Sequence, residues 1–263
     1  MASDSPLKIM SWNVNSVNAR LERLLALLSK HSPDVMCLQE LKCQNEKFPE
    51  SAIRSLGYHC TILGQKTYNG VALLSKMATS EIRIPSKSSI LGTESRLLGI
   101  RFGKMWIYSV YVPNGQDVES SKYLYKLTWL EHLNEYLRTQ HTDEDGVIVC
   151  GDFNVAQDDL DVHDPAAWEG KVLYTEKERG ALKKIMADRY VDTFRLFHNA
   201  ERHYSWWDNR ALGFPLNHGL RIDLVLASSS MAERCIESGI ERDERKGAKP
   251  SDHAPVFAVF KCV

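Results

Sequence analysis

The chain has 263 residues, with 33 Lys and Arg against 34 Asp and Glu, a formal net charge of −1, and 43% hydrophobic and 25% charged residues. This balance excludes a disordered or collagen-like chain and offers no global attraction for a polyanion, so a nucleic-acid role needs a local basic face or metal ions that offset clustered carboxylates. No linker-like tract or internal repeat interrupts the sequence, and one domain over 1–263, with 1–6 as a flexible start, is expected.

Leu7 to Trp12 alternates like a strand and ends at Asn13-Val14-Asn15, after which Leu21, Leu24, Leu25, Leu27 and Leu28 recur at helical spacing before Pro33. Asp34 to Leu38 is a buried strand that delivers Gln39 and Glu40 at its end. Helical signals over Glu46 to Leu56 are weaker, and strands follow at His59 to Leu63 and Val71 to Ser75 around the turn Lys66-Thr67-Tyr68-Asn69-Gly70. Arg96 to Phe102 and Met105 to Val112 read as a strand pair joined near Gly103, the second running into Tyr111-Val112-Pro113-Asn114-Gly115. A long helix fills Glu119 to Arg138. The apolar run Val147 to Cys150 then leads into Gly151-Asp152-Phe153-Asn154, which reads either as a turn or as a strand delivering two polar side chains to the mouth of a sheet.

Residues 156 to 175 read as irregular loop, Glu176 to Arg189 as helix, and Tyr204 to Trp207, Arg221 to Ala227 and Val256 to Phe260 as strands, the last preceded by Ser251-Asp252-His253-Ala254-Pro255. Many strands with intermittent helices fit two packed sheets flanked by helices. Cys37, Cys43, Cys60, Cys150, Cys235 and Cys262 form no CxxC pair and mostly lie in apolar stretches, which suits free core thiols in a reducing compartment. Neither a signal peptide nor a membrane-spanning run is expected.

Polar residues recur where strands end: Asn13, Asn15, Gln39, Glu40, Tyr111, Asn114, Asp152, Asn154, Asp223, Asp252 and His253. Such a set, with no Cys/His cluster of zinc spacing, suits a hard divalent cation, Mg²⁺ with Mn²⁺ as its substitute, and Glu40 is the leading ligand.

Trp-Asn-Val-Asn at 12 to 15, Leu-Gln-Glu at 38 to 40, Gly-Asp-Phe-Asn at 151 to 154, Leu-Arg-Ile-Asp at 220 to 223 and Ser-Asp-His at 251 to 253 together resemble the exonuclease III family of abasic-site endonucleases, in order and over nearly the whole chain. The resemblance implies the four-layer α/β sandwich of deoxyribonuclease I, the endonuclease/exonuclease/phosphatase fold. It implies a monomeric, metal-dependent phosphodiesterase of base excision repair, acting on double-stranded DNA with abasic sites or blocked 3′ ends. The expected location is the cytoplasm, on the nucleoid in a bacterium, with a nuclear one left open.

By matching position, Glu40 and Asn15 would hold the metal, with Asn13 and Asp252 ordering that site. Asp152 and Asn154 would serve the nucleophile and transition state, Asp223 would pair with His253, and Tyr111 would contact the phosphate. Either Asp152 or His253 is the general base; an ordinary Asp is a poor base near neutrality unless crowding raises it. Trp206, Leu220 and Ile222 match an apolar pocket for an extrahelical abasic sugar, against the plain alternative of core packing. Lys66, Tyr68, Arg96, Asn114, Lys122 and Lys126, with Arg179, Lys183 and Lys184, are candidate DNA contacts. The 158 to 175 segment lacks the paired Asn residues of abasic-site specialists, which leaves incision and 3′ trimming both open.

Three rivals are weaker. The Trp-Cys-Asp-Arg signature of lipid phosphatases is missing where Leu220-Arg221-Ile222-Asp223 stands, a secreted nuclease lacks its signal peptide, and a noncatalytic nucleic-acid binder would not need Glu40, Asp152, Asn154, Asp223 and His253 together.

Overall fold

The alternating apolar runs become strands because both of their faces are covered, one by a second sheet and the other by helices. The computed structural model describes residues 5–187 and 189–261. The first sheet contains β1 (Leu7–Asn13), β2 (Val35–Gln39), β3 (His59–Leu63) and β4 (Val71–Ser75). The second contains β5 (Glu81–Arg83), β6 (Leu97–Phe102), β7 (Met105–Tyr111), β8 (Gly146–Asp152) and β9 (Tyr190–Asp192). Beyond a two-stranded ribbon, β10 (Trp206–Trp207) and β11 (Gly219–Leu220), β12 (Asp223–Ser228) joins the second sheet. Finally β13 (Cys235–Ile240) and β14 (Val256–Phe260) complete the first. The strand orders are β13-β14-β1-β2-β4-β3 and β5-β6-β7-β8-β12-β9. Both sheets are mixed: β1 with β2 and β7 with β8 run parallel, and the other pairs antiparallel.

Alternation along the strands makes the layers. Ile9, Val35 and Cys37 of the first sheet meet Ile107, Ile148, Cys150 and Val225 of the second in the central layer. Their neighbours Met10, Trp12, Met36 and Leu38 face outward onto α1 (Leu21–His31) and α2 (Glu50–Arg54) through Leu24, Leu27, Leu28 and Ile53. On the other side, Tyr108, Val110, Val147 and Val149 pack under α3 (Ser121–Gln140), and, past α4 (Pro165–Trp168), under α5 (Glu176–Met186). The result is helix, sheet, sheet, helix, the expected four-layer sandwich.

The same inward face turns polar toward one end. Ser11 gives way to Asn13, Cys37 to Gln39, Ser109 to Tyr111, Cys150 to Asp152, and Val225 to Asp223. Side chains two apart share a face, so the register alone brings these ends together. Asp152 stands opposite both Tyr111 and Asp223, and Asn13 opposite Gln39. Just beneath, the Gln39 Nε2 donates to Ser11 Oγ (3.0 Å) and Ser109 Oγ (2.9 Å), which ties the two sheets through a satisfied polar layer.

Several sequence-based boundaries move. The long helix starts at Ser121 because the Ser120 side chain caps it by accepting from the Tyr123 backbone. The next helix stops at Met186, where Ala187 leaves helical geometry. The segment 156–175 is not wholly irregular, since it holds a 3₁₀ turn at Asp159–Asp161 and α4. The Tyr204 strand shrinks to Trp206–Trp207, and the Arg221 strand begins at Asp223. β5, β9, β13 and α6 (Thr193–Phe197) are additions to the sequence reading. Cys37, Cys43 and Cys150 are buried free thiols and Cys60 and Cys235 are free and half-buried, while Cys262 and residues 1–4 of the expected flexible start lie outside the described residues. Among the described residues no helix is long and apolar enough to cross a membrane.

Candidate active site

Gly151 is where the second sheet opens into the site. Its φ is +150°, and a Cβ there would lie 1.9 Å from the Val110 carbonyl oxygen, so only glycine lets β8 run this close to β7 while presenting Asp152. Beyond the strands, Asn15 (φ 46°), Glu40 (φ 54°) and Asn154 (φ 51°) adopt left-handed backbone and fold back toward the rim. Such strained positions are held by surrounding structure and concentrate at functional sites.

One carboxylate organises the centre. Asp152 is 1% exposed, accepts from the Asn154 backbone (2.8 Å) through Oδ1, and accepts from Asn13 Nδ2 (2.9 Å) through Oδ2. The same Asn13 amide donates to Glu40 Oε1 (2.9 Å), bridging the two acids. Asn154 Nδ2 donates to the Val112 carbonyl (3.0 Å) and to Asp152 Oδ2 (3.2 Å), while its Oδ1 accepts from Asn114 (3.0 Å). His253 hydrogen-bonds Asp223 Oδ2 through Nδ1 (2.8 Å), and its Nε2 faces Asp152 Oδ2 at 3.7 Å.

Burial and charge set the protonation. Burial pushes the Asp152 carboxyl up, the nearby Asp223 and Glu40 charges add to this, and it rises to about 7 even against His253 and the Asn13 hydrogen bond. Burial alone would lower His253, but Asp223 and Asp152 outweigh it and raise the imidazole to about 10. Glu40 moves the other way: burial raises it, and hydrogen bonds from Lys42 and Asn13 overcome that to leave it lowered. The Tyr111 hydroxyl is pushed well up, by burial first and then by Glu40 and Asp152, so it stays protonated.

Glu40, Asp152 and His253 each bring one ligand-type atom within 4.8 Å of the others; with His253 held as the imidazolium, the oxygens of Glu40 and Asp152 are the ones able to hold a metal ion. The donor chemistry, dominated by carboxylate oxygen with an amide oxygen at Asn15, fits a hard divalent cation. A second observation agrees: the ammonium of Lys42 lies 2.9 Å from Glu40 Oε2 and 2.5 Å from Asn15 Oδ1, so these oxygens already gather around positive charge.

Asn13 and Asp252, expected to order the metal site, are hydrogen-bonded to its residues. Asn13 uses its amide nitrogen on both acids and its oxygen on the Asn15 backbone (3.0 Å), so it bridges Glu40 and Asp152. Asp252 places one oxygen on Asn15 Nδ2 (2.8 Å) and the other on Trp206 Nε1 (3.0 Å), which makes it a link between the rim and the ribbon.

The DNA-contact set is corrected more strongly. Lys126 is fully buried, ion-paired with Glu178, and donates to the backbone carbonyls of Asn154 (2.6 Å) and Asn114 (3.1 Å), so it braces the site from inside and cannot reach a phosphate in solvent. Arg96 is 9% exposed, paired with Glu94 (2.7 Å) and stacked 4.6 Å from the Tyr111 ring, where it sets that ring's orientation. Leu220 and Ile222 are buried with Val162, Tyr174 and Leu173, which is core packing; of the three pocket candidates only Trp206 is partly exposed. Arg179 is half-buried over Tyr174, with Glu169 and Asp159 within 4 Å. Tyr68 (67% exposed), Lys66, Asn114, Lys122, Lys183 and Lys184 remain at the surface.

Several supporting roles had escaped the sequence reading. Lys42 carries no motif of its own, yet left-handed backbone at both Glu40 and Lys42 sets the two side by side. Ser205 donates to Asp223 Oδ2 (2.6 Å) while accepting from the Ile222 and Asp223 backbones, and Ser251 donates to the Asn13 carbonyl (2.6 Å). Arg221, fully buried, pairs with Asp161 (2.7 Å) and Asp192 (2.7 Å), fixing the stretch that delivers Asp223.

A model of the endonuclease/exonuclease/phosphatase family matches residues 10–253, which spans this whole constellation. The chain belongs to that family. It is 35% identical to exodeoxyribonuclease III of Haemophilus influenzae, over 97% of this chain and all of the relative. An AP endonuclease from Archaeoglobus fulgidus superposes with a TM-score of 0.93 at 38% identity, covering 97% of this chain and 99% of that one. A 3′ phosphatase from Neisseria bound to a product DNA hairpin gives the same TM-score at 35% identity, again over 97% and 99%. Within the family the chain therefore stands with the exonuclease III and AP endonuclease group.

Proposed function

We propose that this chain is a divalent-metal-dependent DNA phosphodiesterase of base excision repair. It incises 5′ to abasic sites, or removes 3′ blocking groups and nucleotides, and leaves a 3′-OH. The observation that carries the reading is the convergence of Glu40, Asp152 and His253, with Asn154, Asp223 and Tyr111 around them, in a chain akin to enzymes named for these activities.

Asp152 accepts the proton of the attacking water; its raised carboxyl is a far better base near neutrality than an ordinary Asp. Asn154 orients that carboxylate through its backbone and side chain. His253, kept cationic and aimed by Asp223, binds a phosphoryl oxygen, and the Tyr111 hydroxyl donates to another. Glu40 and Asn15 would hold Mg²⁺, or Mn²⁺ in its place, and the ion when bound would supply positive charge to offset the negative charge developing on the phosphodiester. Placed acid/base groups contribute about 10² to 10⁴-fold, so preorganised charge carries the remainder.

On this reading 1–263 works as one monomeric unit in the cytoplasm or nucleus. Trp206, Tyr68, Asn114, Lys66 and Lys122 meet the DNA. One duplex with an internal abasic analogue, compared with the same duplex carrying an undamaged recessed 3′ end, with Mg²⁺ and with chelator, tests the proposal. Metal-dependent cutting of either supports it. A mobility shift without cutting would instead favour a noncatalytic binder, and failure to cut either duplex would sink the enzyme reading.

A further inference from the structure

A second group of metal-capable side chains lies on the loop that follows α6. His198, Glu201 and His203 each offer one ligand atom within 4.8 Å of the others. Glu201 Oε2 is 3.4 Å from His198 Nδ1 and 2.7 Å from His203 Nε2. Ligand atoms around a tetrahedral zinc, with bonds of about 2.0–2.1 Å, lie about 3.3–3.4 Å apart. The three side chains are thus close to the required spacing.

The surroundings fix the ligands as a metal site would. His198 Nε2 lies 3.0 Å from the Ser238 carbonyl, which can only accept, so Nε2 carries the proton. In the neutral imidazole this puts the Nδ1 lone pair, the one that would bind a metal, on the side of the Glu201 carboxylate. Anchoring of the distal ring nitrogen by a carbonyl is the arrangement that orients metal-ligating histidines. The ring is also held in plane by Phe194, stacked at a centroid distance of 4.4 Å. Arg195 Nη1 then binds the carbonyls of His198 (2.7 Å) and Glu201 (2.9 Å), while its Nη2 pairs with buried Asp161, so the loop backbone is tied to the interior.

We propose that His198, Glu201 and His203 form a binding site for a zinc-class divalent ion, distinct from the oxygen-rich rim. Two imidazoles and one carboxylate select a borderline transition ion over Mg²⁺, with Zn²⁺ the intended occupant and water completing its coordination. Such an ion clamps the loop to β13, the edge strand of the first sheet, through the Ser238 anchor. The spacing His-x₂-Glu-x-His sits in sequence where no cysteine pair draws attention to it.

The test is a Zn²⁺ titration of the full chain in excess Mg²⁺, followed by the imidazole NMR signals of its histidines. Exposed His59 and His132, which belong to neither group, serve as internal controls. The expected result is that His198 and His203 shift together at about one equivalent, ahead of the controls. His203→Ala and Glu201→Gln should each weaken this by at least about tenfold without changing DNA cleavage. Both positions are exposed enough for the fold to survive. The proposal is overturned if His198 and His203 respond only with His59 and His132, or if their response is unchanged in the two variants.

Discussion

Two buried histidines, at different places on the second sheet, behave in opposite ways. His253 lies at the rim against β8 and β12, and His141 follows α3, with its Nε2 2.8 Å from the Tyr108 hydroxyl. Burial disfavours the charged form of both. Around His253, Asp223 and Asp152 win and raise it to about 10; around His141, Arg83 adds to burial, exceeds the pull of Asp145, and lowers it to about 4. Burial alone thus favours a neutral imidazole at both places, and only the carboxylates arriving at the strand ends turn one of them into a cation. That is how a packed sandwich acquires a chemical end.

The largest effect that would break this contrast is at Asp152. Asp152→Asn keeps the shape but removes the proposed base and one of the carboxylate charges that raise His253, and the cleavage rate should fall about 10² to 10⁴-fold. Single-turnover assays with saturating Mg²⁺ read this, and near-normal turnover would refute the assignment.

Next comes the internal brace. Lys126→Met leaves Glu178 buried without its partner and should destabilise the chain by about 3–5 kcal/mol in urea unfolding, whereas exposed Lys122→Ala should stay within about 0.5 kcal/mol. Equal effects would contradict the burial of Lys126.

The histidine contrast has its own pH signature in metal-free protein. His141 has a folded value below its unfolded one, so its contribution is present above pH 6.5 and is lost as pH falls from 6.5 toward about 4. At about 1.4 kcal/mol per pH unit, roughly 3 kcal/mol is at stake. His253 is raised, so its contribution is full below pH 6.5 and is lost only as pH rises toward about 10. His141→Phe should flatten the acid side of the stability profile and leave the alkaline side alone. Denaturant midpoints measured across pH check both signs.

A smaller effect is expected on the ribbon side. Trp206→Ala should alter the ratio of abasic incision to 3′ trimming by about 1–3 kcal/mol, while Asp223→Asn should lower both activities together. An unchanged ratio would return Trp206 to plain packing.

The sequence displayed the chemical end better than its supports, for a physical reason. Asp152 and Glu40 follow apolar runs and Asp223 opens one, so the pattern that identifies a strand also identifies its polar terminus. Lys126 and Glu178 lie 52 residues apart, and Arg221 and Asp161 lie 60 apart, with no local pattern to announce that a charge is buried. Lysine is rarely interior, which made Lys126 read as surface. β13 was missed because an edge strand needs no continuous apolar run: Ile236 and Glu237 face solvent and only Ser238 of its six residues is buried. Leu220 and Ile222 were placed correctly near the site, but whether an apolar residue lines a slot or fills a core depends on what covers it, and here Val162, Leu173 and Tyr174 do.

The central claim is that Glu40, Asp152 and His253 form one metal-dependent hydrolytic centre. It is tested most directly by measuring cleavage of the abasic-analogue and recessed-end duplexes as a function of Mg²⁺ for the wild-type chain and Glu40→Gln. The account predicts that chelator abolishes wild-type cutting and that Glu40→Gln needs at least about tenfold more Mg²⁺ to reach half its maximal rate. Cutting that persists in chelator, or an unchanged Mg²⁺ requirement in the variant, would contradict it.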